Sequence, residues 1–227
     1  MATCAAARRD VGAAARGTAW RDCGRTELDK KSGRPLAVWH VKATRLAAWA
    51  ARFPNARALA VSKESNGAST AAFAAMVAGA VAGLRRLESL DLSMCQVGAD
   101  GARALAGTLQ HALCLETLDV RGCGIGADGA RALASALLHV PRLKVLNVGD
   151  NSIGANGARS LAAALQHLPR LETLDVHYNV IGDGGVRALA GALQHVPRLK
   201  VFDVSKNLIE AEGARALAGA LQYIPNL

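Results

Sequence analysis

Five residues that recur at a constant interval of 28 could act together: Asp91, Asp119, Asn147, Asp175 and Asp203. Each sits between two apolar residues, as in Leu90-Asp91-Leu92 or Leu174-Asp175-Val176. That alternation is the period of a half-buried strand, so the polar side chain points away from the core. Strands in register lie about 4.8 Å apart, and the five would form a column of carboxylates that Asn147 interrupts. Adjacent exposed like charges cost roughly 1 kcal/mol in water. Such a column can receive a basic partner, or it can bond neighbouring loop amides and side chains. Both uses are open at this stage.

The residues just after the column differ from one recurrence to the next. They read Ser93/Met94, Arg121/Gly122, Gly149/Asp150, His177/Tyr178 and Ser205/Lys206. Variation beside a constant framework is what a tailored recognition surface produces, and drift at exposed positions produces it too. Met94, Arg121, Asp150, His177, Tyr178 and Lys206 join the column as candidate partner-binding residues, with Tyr178 and His177 as the expected anchor. Next comes Cys95, Cys123, Asn151, Asn179 and Asn207. His111, His139, His167 and His195 also recur, followed by Tyr223, as do Arg103, Arg131, Arg159, Arg187 and Arg215. The histidines fall at helix ends roughly 8–10 Å apart, too far for one ion to bridge at about 2.1 Å per ligand. No metal, cofactor or catalytic residue is therefore expected. No G-x-x-x-x-G-K-[ST], G-x-S-x-G or H-E-x-x-H motif occurs in the chain.

The elements that must position these residues follow from the period. From Leu87 the chain divides into five ungapped units of 28 residues, each opening L-x-x-L-x-L/V or a close variant. The second half of each unit spaces its apolar residues as a helix does, for example Ala158, Leu161, Ala162, Leu165 and Leu168. A Gly precedes each helical run (Gly101, Gly129, Gly157, Gly185, Gly213), and Pro141, Pro169, Pro197 and Pro225 close four of them. A strand and helix of this length cannot bury their apolar faces alone, so units must stack. Strands need about 4.8 Å and helices about 8–10 Å, which bends the stack with the sheet on the inside.

These units resemble the ribonuclease-inhibitor class of leucine-rich repeats, LxxLxLxxNxIxxxGaxxLaxaL, over residues 87–227. The resemblance implies an α/β right-handed solenoid, a horseshoe with a parallel sheet on the concave face and helices on the convex face. It also implies that the Cys/Asn position turns inward and bonds loop backbone, so that Cys95 and Cys123 are structural stand-ins. Ran GTPase-activating protein and the repeat regions of NOD-like receptors belong to this class. Their activities are alternatives to a plain scaffold, although neither Arg57 nor Arg121 lies in a catalytic motif and no nucleotide-binding domain precedes the repeats.

Upstream the pattern decays. Leu59 and Val61 read as a strand, and Val77, Val81 and Leu84 as a helix, in a unit of 31 residues. A capping helix is expected from about Ala37 to Phe53, so that residues 37–86 form a cap and a degenerate repeat. Residues 1–36 are expected to be a basic, disordered segment. Residues 1–57 hold 12 Lys/Arg against 4 Asp/Glu, while residues 58–227 hold 15 against 14. The net charge of +9 thus belongs to the N-terminal part. Such a segment could touch nucleic acid, acidic proteins or membrane surfaces, remain solvated, or fold back over the Asp column. Its Ala- and Arg-rich composition leaves a mitochondrial transit peptide open. The chain stops at the first residue of a sixth unit, which reads as a fragment of a longer protein or as an end that pairs with something. Five Cys without a CxxC pair point to reduced thiols in the cytoplasm. The expected function is a scaffold that binds a protein partner on its concave face, with no small-molecule substrate, no specific nucleic acid and no membrane span.

Overall fold

A computed structural model describes residues 27–28, 35–36, 39–42, 45–62 and 70–224. In chain order the elements are β1 (Glu27–Leu28), β2 (Pro35–Leu36), β3 (Trp39–Lys42), α1 (Leu46–Arg52), β4 (Ala58–Ser62) and α2 (Thr70–Gly83). The five regular units supply β5 (Ser89–Asp91), α3 (Gly98–Leu109), β6 (Thr117–Asp119), α4 (Gly126–Leu137), β7 (Val145–Asn147) and α5 (Gly154–Leu165). They continue with β8 (Thr173–Asp175), α6 (Gly182–Ala192), β9 (Val201–Asp203) and α7 (Ala211–Ala220). β3 to β9 form one parallel sheet in sequence order, and β1 pairs antiparallel with β2. Each helix packs on its neighbour in the next unit. The result is the expected α/β arc of one sheet layer and one helix layer.

Register is exact from unit to unit. Leu90 pairs with Leu118, Leu118 with Leu146, Leu146 with Leu174 and Leu174 with Phe202. A slip of one residue would turn each buried Leu to solvent and each Asp into the core, so the burial pattern itself holds the register. Between the layers lies a single slab of buried aliphatic residues, including Leu105, Leu133, Leu161 and Leu189 from the helices. The recurrent Gly lets consecutive helices approach. A Cβ on Gly129 would come within 2.8 Å of Ile125 Cβ and 3.0 Å of Ala102 Cβ.

One expectation about the N-terminal region needs correction. Residues 39–42 are strand, pairing Trp39 with Leu59 and Val41 with Val61, and helix is confined to Leu46–Arg52. The strand-then-helix order therefore runs one unit further back than a capping helix from Ala37 would allow. Trp-His-Val-Lys carries the aromatic and β-branched residues that favour a strand, and the β4 edge offers it a partner. Leu46 and Trp49 of α1 are buried against the slab, with the Trp49 and Phe53 rings 5.7 Å apart. The expected basic segment of residues 1–36 falls outside the described residues, apart from β1 and β2.

A ladder of side chains stitches the loops that leave the strands. Asn179 Oδ1 accepts from the amides of Asn151 (3.0 Å) and Ile153 (3.2 Å) in the preceding unit. Its Nδ2 donates to the carbonyls of Val148, Val176 and His177 at 2.9–3.1 Å. Asn151 and Asn207 repeat the pattern one unit away on either side. In the first two regular units the side chain is a thiol. Cys123 Sγ donates to Leu92 O at 3.0 Å and Cys95 Sγ to Val61 O at 3.0 Å, so each uses the carbonyl on the preceding strand that an Asn would use. Burial pushes the Cys123 thiol up to about 12.

Two outcomes follow from the ladder. Asn179→Ala leaves several buried amides and carbonyls without partners, each costing about 1–3 kcal/mol, so urea unfolding should show a loss of about 3 kcal/mol or more. A loss below about 1 kcal/mol would mean that water replaces the side chain. The thiol makes stability depend on pH. Unfolded, Cys123 ionises near its ordinary value of 9.0, whereas the fold keeps it protonated to about 12. Stability therefore falls as pH rises through that window, by up to about 1.4 kcal/mol per pH unit. Urea melts between pH 9 and 11 should show a steeper decline for the wild type than for Cys123→Val; parallel declines would refute the assignment.

Candidate functional site

The Asp column stands on the open face of the sheet, and its geometry gives each member two tasks. One carboxylate oxygen of every member accepts the amide of the residue two positions on. The pairs are Asp91 with Ser93 (2.8 Å), Asp119 with Arg121 (2.9 Å), Asp175 with His177 (3.0 Å) and Asp203 with Ser205 (2.9 Å). Asn147 does the same for Gly149 at 3.0 Å. These bonds turn the chain out of each strand and hold each side chain in one rotamer. The other oxygen lies outside this turn. Asn147 spends its amide on Asp119, with Nδ2 to Oδ2 at 3.2 Å. Burial raises the Asp119 carboxyl, and the charge of Asp91 adds to that against the Arg121 and Asn147 bonds, which lower it. Hydrogen bonds from Ser205 hold the Asp203 carboxyl below its ordinary value, and His177 and Lys206 act in the same direction.

Beyond the column the backbone enters the left-handed region three times in each of the first four units, the third time at Gly98, Gly126, Gly154 and Gly182, and twice in the fifth. Met94, Asp150, Tyr178 and Lys206 have φ between 53° and 59°, and Gln96, Ser152, Val180 and Leu208 between 49° and 55°. For a residue with a Cβ this conformation costs about 1–2 kcal/mol, and for β-branched Val180 it is rarer still. The second unit has Gly122 and Gly124 there instead. The strained residues project outward: Met94 is 67% exposed, Tyr178 54%, Val180 55% and Leu208 71%. Lys206 Nζ lies 5.8 Å from the centre of the Tyr178 ring, a cation–π distance.

Glycines accept the long side chains of neighbouring units. The Met94 sulfur lies where a Cβ on Gly122 would be, and the His177 ring lies where a Cβ on Gly149 would be. His177 Nδ1 meets Asp175 Oδ1 at 2.7 Å. The fourth and fifth units therefore gather Asp175, His177, Tyr178, Asp203 and Lys206, while Asp91, Asp119 and Asn147 form a second acidic group. Met94 and Arg121 stand by that group. Half-buried Asp150 lies between the two. Val180 and Leu208 were not anticipated. Their one sequence signal was an apolar residue where other units have Gln96, Gly124 or Ser152.

The convex columns carry ion pairs and polar contacts. Arg103 pairs with Asp100 and, at 3.8 Å, with Asp128. Arg131 bonds Asp128 at 2.8 Å, Arg159 bonds Asn156 at 2.6 Å and Arg187 bonds Glu212 at 2.7 Å. Lys144–Glu116 at 2.7 Å and Lys200–Glu172 at 2.6 Å bridge successive units beside the strands. No helix among the described residues is long and apolar enough to cross a membrane.

Comparison with known proteins bears on the repeats. An internalin of Listeria monocytogenes superposes with a TM-score of 0.39 at 15% identity, over 71% of this chain and 52% of the internalin. A Bacteroides fragilis protein gives 0.30 at 12% identity, over 74% of this chain and 65% of its own. The chain thus spans about half the length of the internalin. No curated protein matches the sequence. A model described as a leucine-rich repeat matches five times, over residues 84–106, 111–134, 141–162, 167–190 and 197–218. Its five matches fall one to each regular unit of strand and helix, and the chain belongs to the leucine-rich-repeat family.

Proposed function

We propose that this chain is an interaction scaffold that binds a partner protein along the open face of its sheet and the loops beyond it. The observation that supports this most directly is the pairing of a rigid acidic column with exposed side chains on strained backbone. The Asp and Asn rotamers are already held by amides, so a partner orders few of them on binding. Met94, Tyr178, Val180 and Leu208 keep a Cβ where glycine would relieve strain, and three of the four are large apolar residues left in water. Such strain clusters at binding sites. Arg121 and Lys206 add positive points to an otherwise acidic surface, and Asp91, Asp119, Asn147, Asp150, Asp175, His177 and Asp203 supply the rest. The 28-residue unit length supports the ribonuclease-inhibitor-like class as the finer reading, and the absence of a CxxC pair supports the cytoplasm. Binding, not catalysis, is the task.

The test is capture of the partner from a cell extract, followed by cross-linking to locate it. Tyr178→Ala combined with Asp175→Asn, which keeps the amide acceptor as Asn147 does, should weaken capture at least tenfold. Arg131→Ala combined with Arg159→Ala on the convex face should leave it unchanged. Capture indifferent to the first pair and sensitive to the second would move the binding surface to the helices. Accelerated GTP hydrolysis by a captured GTPase would replace the scaffold with an activating protein.

A further inference from the structure

We propose that Asp175, His177 and Asp203 form a site for a divalent metal ion of the zinc type, set between the fourth and fifth units. One carboxylate oxygen from each Asp and one ring nitrogen of His177 lie within 4.8 Å of one another. An ion about 2.0–2.2 Å from each donor needs them drawn in by roughly an ångström, which side-chain rotation supplies. The trio comes from adjacent, paired strand positions, since Asp175 and Asp203 face each other in the register. Asn147 separates Asp119 from Asp175 along the column, and it donates to Asp119. Nothing of that kind stands between Asp175 and Asp203. His177 stands at the same point, with Nδ1 2.7 Å from Asp175 Oδ1.

The imidazole is also built in. Its side chain is 16% exposed and that of Asp175 22%. The bare Cα of Gly149 makes room for the ring, and Asp175 fixes its plane through the 2.7 Å contact with Nδ1. The same contact shows how closely two of the three donors already approach. At the corresponding position the other units have Ser93, Arg121, Gly149 and Ser205, none of which brings an imidazole. Two oxygen donors and one nitrogen suit zinc and its first-row neighbours better than magnesium or calcium, which prefer oxygen alone. Three protein ligands leave coordination positions free on the open face of the sheet. The helix-end histidines, by contrast, belong to no such group among the described residues.

Calorimetric titration of the full chain with zinc chloride at pH 7 tests the site. One zinc should bind with a Kd in the micromolar range. His177→Ala and Asp203→Asn should each weaken it at least tenfold, and His167→Ala on the helix side should not. Asp203→Asn keeps the acceptor for the Ser205 amide, as Asn147 does in its own unit, and circular dichroism verifies that each variant is folded. Zinc should also shift the His177 ring resonances in a 15N spectrum. Absence of binding overturns the site, leaving the His177–Asp175 contact as a plain hydrogen bond. Binding that survives either substitution equally overturns it, as adventitious surface coordination.

Discussion

The structure depends on satisfying the backbone where each strand ends. A three-residue strand must hand over to a helix within a few residues, and the intervening loop is stacked between identical loops. Its amides and carbonyls are shielded from water, and an unmet group there costs as much as a hydrogen bond returns. Asn179 and its equivalents resolve this by reaching both ways, accepting from the unit before and donating to carbonyls of two units. A unit therefore cannot complete its own loop. Stacking is imposed by hydrogen bonding as well as by the apolar slab.

Left-handed backbone is a second consequence of the same loop. To place Asn179 inward between two outward turns, the residues on either side, Tyr178 and Val180, take positive φ. The ladder makes the strain tolerable and the strain exposes the flanking side chains. What varies between units is then free to vary because nothing in the core depends on it. The fifth unit shows where such freedom stops. Glu210 replaces the glycine found at Gly98, Gly126, Gly154 and Gly182, its φ is −105°, and α7 begins at Ala211, one position later in the unit than the other four helices. The Glu210 amide is met by Asp183 of the unit before, at 2.7 Å.

Much of this was legible from the spacing alone. Strand and helix positions in residues 87–224 and the buried face of each follow from the 28-residue period, and the stand-in role of Cys95 and Cys123 follows from the resemblance to the repeat class. What was not legible lies where the period gives no guidance. In the cap, Trp39–Lys42 reads as the start of a helix if one aligns Leu46 with Leu161, because the strand-to-strand repeat containing α1 is shortened, Trp39 pairing with Leu59, and the count drifts. The convergence of Asp175, His177 and Asp203 escaped for a different reason. A search for columns compares like positions in successive units, whereas this trio combines two positions of one unit with one of the next. The exposure of Val180 and Leu208 required φ, which composition does not reveal.

The Asp column shows why a structural role and a binding role need not compete. A carboxylate has two oxygens, and the turn at each strand end consumes one. Asparagine performs the turn equally well, as Asn147 demonstrates with its 3.0 Å bond to Gly149. Loop geometry alone therefore does not demand aspartate at the other four positions. Four charges on one face are an electrostatic expense that the fold could avoid by using asparagine throughout. Where Asn147 does occur, it spends its amide on a neighbouring carboxylate. Asp175 and Asp203 have no such neighbour between them and keep their charges at directly paired positions of β8 and β9.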